Sequence, residues 1–258
     1  MTFSIPKEYT NQEIRVPIQT RSPERIICRA YNPRKANTVY FDAAPVIKGS
    51  DMFIVRIPKM PEGIYLDVYN EKHGNLKFDG SFRVGAIKSY PIQTRFAVSK
   101  ILDPNLNRFM AFIDDFAENA SILSAQNSIY TSNDGRFKID YLDVIRDEHG
   151  RELTTPFRVG EKSKIIQASK KQIMNYTVPG RRMWLLHEGA HVYINKRPED
   201  ELEADKHAIT LYLGTGNPII EAYNVIYKCF KNSPTNLNRQ RYEQLNHFIK
   251  SFNGTKTK

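Results

Sequence analysis

The sequence predicts an α+β protein built as an N-terminal β-sandwich followed by a helix-rich domain, and three observations lead there. Up to residue 94, short segments of strand character recur roughly every ten residues with turn chemistry between them. Beyond that point apolar residues recur at three and four instead of two. The 258 residues, 40% hydrophobic and 11% aromatic, suffice for a core in each part.

In the first part the expected strands are 13–19, 25–31, 38–41, 52–57, 64–69 and 82–88. Between them stand Asn32-Pro33, Lys48-Gly49-Ser50, Pro61-Glu62-Gly63, Lys72-His73-Gly74 and Asp79-Gly80, residues that set or tolerate turn dihedrals. No helical period interrupts the series. Residues 1–94 therefore read as an immunoglobulin-like or jelly-roll module, which either binds a protein partner as an adaptor or only covers the domain that follows.

The boundary is expected near Tyr90-Pro91-Ile92-Gln93-Thr94, opening a second domain over 95–258. Asp103-Pro104 is a helix start signal, and Leu106, Phe109, Met110, Ile113, Phe116, Ala117 and Ala120 form one apolar stripe behind it. A mixed sheet over 129–169 should pack on that helix, with strand character at 137–142, behind the turn Asn133-Asp134-Gly135, and at 164–169. Further helices follow, the last two at about 218–231 and 235–252, and a frayed tail.

The most informative stretch is Trp184-Leu185-Leu186-His187-Glu188-Gly189-Ala190-His191. Two histidines four apart on a helix share one face and can grip one metal ion, while Glu188, about 100° round, can reach a water held by it. The chain has only six histidines, so the pattern is rare by chance. The apolar neighbours Trp184, Leu185, Leu186, Ala190, Val192 and Ile194 imply a buried helix, where such polar groups are costly without a purpose. Catalytic sites of this kind need a third protein ligand. Downstream, Glu201, Asp205 and Ala208 fall on one face of a second helix bounded by Pro198 and by Gly214 and Gly216. Glu203 or Asp205 are alternatives to Glu201 as ligand, but Glu203 points about 200° away from Glu201. His207 lies about 200° round from Asp205 and is left out.

These two motifs, His187-Glu188-Gly189-Ala190-His191 and Glu201-Leu202-Glu203-Ala204-Asp205, resemble those of the gluzincin metallopeptidases. The resemblance covers residues 184 to 208. It implies a zincin-like domain with Zn²⁺ held by His187, His191 and Glu201, with Glu188 as general base and acid, and with Asp205 as a carboxylate orienting a ligating histidine. Compact domains of this kind, including ones encoded by tailed bacteriophages, look similar over residues 95 to 230.

Such peptidases also need a group to meet the developing oxyanion, and Tyr176, Arg181, Arg182, Tyr193, Tyr212 and Tyr223 all stand near the motifs. An extended peptide substrate would add to a sheet edge, with 137–142 and 164–169 as the two strands considered for it. An internal structural role for either is the competing reading.

The remaining features bound the function. The net charge of +10 and a pI near 9.5 come from basic residues spread along the chain, as in Arg34-Lys35, Lys162-Ser163-Lys164, Lys170-Lys171 and Arg181-Arg182. That spread argues against a specific nucleic-acid site. Cys28 and Cys229 have apolar surroundings and no metal-ligand spacing, so they are expected to be buried thiols. No apolar run reaches the roughly 20 residues of a membrane span, and the first residues lack secretory-signal character, which predicts a cytoplasmic or virion-associated protein. The expected activity is peptide-bond hydrolysis. The rivals are an assembly protein, such as a virion component, that keeps the fold and its metal, and a zinc amidase acting on cell-wall peptides.

Overall fold

The computed structural model describes residues 1–74, 80–94, 103–125, 128–160, 163, 165–194, 197, 199–232 and 235–254, except the side chains of 229, 230, 232, 237, 253 and 254. The chain divides into two compact units, Met1–Thr94 with Gly216–Pro218, and Arg95–Thr215 with Ile219–Lys258.

The first unit is built of antiparallel strands: β1 (Thr2–Pro6), β2 (Gln12–Thr20), β3 (Glu24–Tyr31), β4 (Val39–Ala43), β5 (Val46–Ile47), β6 (Ser50–Ile57), β7 (Gly63–Asn70), β8 (Phe82–Val84) and β9 (Lys88–Pro91). One sheet runs β1-β7-β3-β4 with β5 on β3, the other β6-β2-β8 with β9 on β2. The two-residue period explains the packing. Ile14, Val16 and Ile18 of β2, Ile26, Cys28 and Ala30 of β3, and Ile64, Leu66 and Val68 of β7 all turn inward and are buried. Phe41 of β4 meets Phe53 of β6 edge to face, so the two sheets share aromatic packing.

The segment 82–88, expected as one strand, is two. Val84 pairs with Ile18 and Lys88 with Arg15, so β8 and β9 are separated by one residue more than β2 supplies. This bulge lies opposite Pro17, which has no N–H for a ladder, and a Cβ on Gly85 would lie 3.1 Å from that of Pro17. The terminal strand β1 carried no turn-bounded signal of its own. Cys28 is a buried free thiol, and the side chain of Cys229 lies outside the described residues.

The second unit contains α1 (Pro104–Asn119), β10 (Ser128–Thr131), β11 (Lys138–Leu142), β12 (Phe157–Val159), β13 (Ile166–Ser169), α2 (Lys170–Ile173), α3 (Val178–Gly189), α4 (Glu201–Gly214), α5 (Ile219–Asn232) and α6 (Asn236–Gly254). Asp103 caps α1 by accepting the Asn105 N–H, and Pro104 occupies the first turn. The stripe Phe109, Met110, Phe112, Ile113, Phe116 and Ala117 is buried in one core with Phe137, Ile139 and Tyr141. Tyr141 closes the far end of α1, its hydroxyl donating to the Ala120 carbonyl at 2.6 Å.

The sheet order is β10-β11-β13-β12, with β11 and β13 parallel and the outer pairs antiparallel. Both strands considered as substrate edges, 137–142 and 164–169, are therefore interior. The edges are β10 and β12, and β12 has only three residues, too short to show a period. Among the described residues no helix is long and apolar enough to cross a membrane.

Candidate metal centre

The helix α3 begins where Thr177 accepts the Gly180 N–H at 3.2 Å, with Pro179 in its first turn. It ends at Gly189, and the motif continues through a π-helical turn, Ala190–Ile194, so the expected single helix changes pitch between its two histidines. Gly189 is required by packing, because a Cβ there would overlap the Phe109 ring of α1. The start of α3 is fixed by Arg181, a fully buried side chain donating to the carbonyls of Ile173 at 3.1 Å and Ala117 at 3.2 Å.

α4 starts at Asp200, whose side chain accepts the Glu203 N–H at 2.9 Å. That start sets Glu201 in the first turn and Asp205 one turn on. Of the connector from α3, residues 195, 196 and 198 lie outside the described residues. The structure brings His187, His191 and Glu201 together, each offering one ligand atom within 4.8 Å of the others. His187 Nε2 and His191 Nε2 are 3.2 Å apart, and each lies 3.5 Å from a Glu201 oxygen. Ligands at about 2.0–2.1 Å from one tetrahedral ion stand roughly 3.3 Å from one another, so the triad fits a single metal ion. Neither Glu203 nor His207 joins the cluster.

Asp205 Oδ1 stands 2.9 Å from His187 Nδ1, on the side of the ring opposite the ligand nitrogen. Arg241 of α6 reaches in from the other side. Its Nη2 lies 2.7 Å from Asp205 Oδ2 and 3.1 Å from Glu201 Oε2, and its Nε also donates to Asp205. Burial opposes charge on His187, but Asp205, then Glu201 and Glu188, outweigh it and raise its pKa to about 10. The hydrogen bond from His187 first, and then the charges of both histidines and Arg241, lower the Glu201 carboxyl to about 2 against the effect of burial. A metal ion bound here would compete with a proton for the His187 ring.

Glu188 is buried, and that burial raises its pKa against the pull of the two histidines. It lines a cavity of about 740 Å³ together with the triad, Asp205, Arg241, Met183, Trp184, Val225, Ile226 and the strand β12. The ladder shows how β12 meets the cavity. Gly160 N–H donates to Ile165 and Ser169 N–H to Pro156, so at alternate residues β12 bonds to β13. Phe157 and Val159 then direct their backbone groups outward. The Val159 N–H bonds Glu188, and the Phe157 carbonyl accepts the Thr155 hydroxyl at 2.6 Å.

None of the residues considered for the oxyanion role lines this cavity. Arg181 and Tyr212 are fully buried in the core, and Arg182 is paired with Asp114 at 2.8 Å. Tyr193 packs on Phe109 and Phe137, and Tyr176 stacks edge-on against Trp184. Tyr223 also stands outside the cavity wall. Nearness in sequence does not place a side chain at a site, because a helix hides half of its residues from any one site. The arginines that do line the cavity are Arg158 and Arg241. Sequence reasoning missed both; the only trace of Arg241 was a charged residue on an amphipathic C-terminal helix.

Comparison with protein-family models, with curated proteins and with solved structures finds no match for this chain.

Proposed function

We propose that the chain is a zinc metallopeptidase of gluzincin type. The observation that carries this reading is the convergence of two imidazoles and one carboxylate at ligand spacing, beside a buried glutamate on the wall of an open cavity. Two histidines and one carboxylate form a donor set suited to zinc. His187, His191 and Glu201 would hold the ion. When bound, zinc supplies the Lewis acidity that makes water a nucleophile near neutral pH.

The rest belongs to the protein. Asp205 fixes the ring of His187 so that Nε2 faces the ligand position. Glu188 accepts a proton from the attacking water and returns it to the departing amine, a role matched to a carboxyl whose pKa burial raises. The outward edge of β12 pairs with an extended peptide backbone, and Met183, Val225 and Ile226 offer that peptide an apolar subsite.

The test joins elemental analysis with proteolysis of an unfolded protein. The native chain is expected to carry about one zinc and to cleave; His187→Ala loses both. Glu188→Gln keeps the metal and loses activity by about 10²–10⁴-fold, the span of general acid–base catalysis. Zinc without cleavage of any peptide would favour the assembly-protein reading, and cleavage restricted to cell-wall peptides the amidase. Full activity in Glu188→Gln removes the mechanism.

A further inference from the structure

The three ligands and Asp205 come from α3, the turn after it and α4, yet the group that touches both carboxylates comes from α6. Arg241 is 36 residues beyond Asp205 and 40 beyond Glu201. Its side chain is only 15% exposed, whereas that of Glu201 is 52% exposed. A half-exposed glutamate on the first turn of a helix has many rotamers, and those that reach the two histidines are a small part of them. Asp200 caps the helix through the Glu203 N–H.

The fork of Arg241 restricts it. Nη2 is shared between Glu201 Oε2 and Asp205 Oδ2, while Nε makes a second contact to Asp205. Asp205 in turn stands against His187 Nδ1. One planar group thus ties the orientation of a carboxylate ligand to that of an imidazole ligand. It also holds Oε2 of Glu201 at 3.1 Å, an oxygen 3.5 Å from His187 Nε2, while Oε1 faces His191 Nε2 at 3.5 Å. A lysine could supply the charge but not two donors in fixed directions.

We propose that Arg241 is a positioning residue of the metal centre, a clamp from the C-terminal helix that presets Glu201 for one-oxygen ligation and Asp205 for its hold on His187. The proposal rests on the metal-site reading above. It makes α6 a part of the site, although the three-residue ligand cluster includes no described residue of α6.

The experiment measures the affinity of the full chain for Zn²⁺ by competition with a chromophoric chelator, and the visible spectrum of its Co²⁺ form, for wild type, Arg241→Ala and Arg241→Lys. Far-UV circular dichroism and urea unfolding without metal establish that each variant is folded. Arg241→Ala is expected to bind Zn²⁺ about 10–100-fold more weakly, the usual loss when a ligand's supporting partner is removed. Its Co²⁺ bands should shift as Glu201 changes its mode of ligation. Arg241→Lys should recover only part of the affinity and none of the spectrum. Wild-type affinity and spectrum in a folded Arg241→Ala, or full recovery of both in Arg241→Lys, would overturn the clamp. Absence of metal binding by the wild type would instead overturn the metal-site reading on which the clamp depends.

Discussion

Each unit contains a charge triad, and the two are inversions of each other. On β2, Glu13 takes the Arg15 Nε on one oxygen and the Arg56 Nε on the other, each at 2.8 Å. In the second unit one arginine, Arg241, takes two carboxylates, Asp205 and Glu201. The Glu13 triad is a product of strand geometry. Arg15 is two residues away on the same face, and Arg56 is directly opposite in the β2–β6 register. Its buried carboxylate is satisfied, and its arginines run out toward solvent, 45% and 42% exposed. The Arg241 triad joins two helices distant in sequence, α4 and α6, beside a cavity, with two imidazoles aimed at the same point. A closed charge cluster stabilises a surface. One that converges ligand atoms on an open space makes a site.

Metal addition is the largest lever for separating the two regions. An ion that binds only the folded site stabilises by about 2.7 kcal/mol at a hundredfold excess over its Kd. Amide exchange in α3 and α4 should slow accordingly, while the β2–β6 ladder exchanges as before. Equal protection of both would break the distinction between a site and a closed cluster.

Next comes Gly189→Ala, which forces a methyl into the Phe109 ring. Overpacking of this kind costs about 1–3 kcal/mol, read as a lower urea midpoint, and the metal affinity should fall with it because the residue lies between the two histidines. Combining it with Phe109→Ala should cost less than the sum of the single changes, since the overlap is then absent. Additive losses would show that Gly189 serves something other than the approach of α1.

A smaller effect is expected for Glu13→Gln, about 1 kcal/mol given the solvent screening of its half-exposed arginines. Desolvation alone would raise the Glu13 pKa, but the hydrogen bonds and charges of Arg15 and Arg56 lower it below 4.5. A folded-state pKa below the unfolded value means the stabilisation is complete above about pH 4.5 and is lost as pH falls through the lowered value. Unfolding midpoints of wild type and variant should therefore differ at pH 6 and draw together as the pH falls below 4.5 and through the lowered value. A constant gap would show that the pairing is not ionic. Arg15→Gln should be the mildest, within about 0.5 kcal/mol, since Arg56 still pairs the carboxylate.

The legible parts were the locally periodic ones. Strands β2, β3, β6 and β7 are eight or nine residues long, enough for an inward-facing apolar set to show, and α1 repeats at three and four for four turns. β1, β5 and β12 are too short for a period, and the break between β8 and β9 depends on Pro17 in a neighbouring strand. Within the site, His187, Glu188 and His191 share one segment, and Glu201 and Asp205 one helix face, so both groups could be read as units. Their meeting could not be read from either alone.

By itself, the amino-acid sequence determined the alternation of the N-terminal strands, the helices that carry the two acidic and imidazole motifs, and which atoms could ligate a metal, because these follow from backbone period and side-chain chemistry. Tertiary structure decided the rest. Sheet order made β12 the edge at the cavity and put the two expected edge strands inside. Close helix packing turned Gly189 from a permissive residue into a required one, and the return of α6 brought Arg241 onto Glu201 and Asp205. Those outcomes depend on contacts between segments tens of residues apart, which no local period encodes.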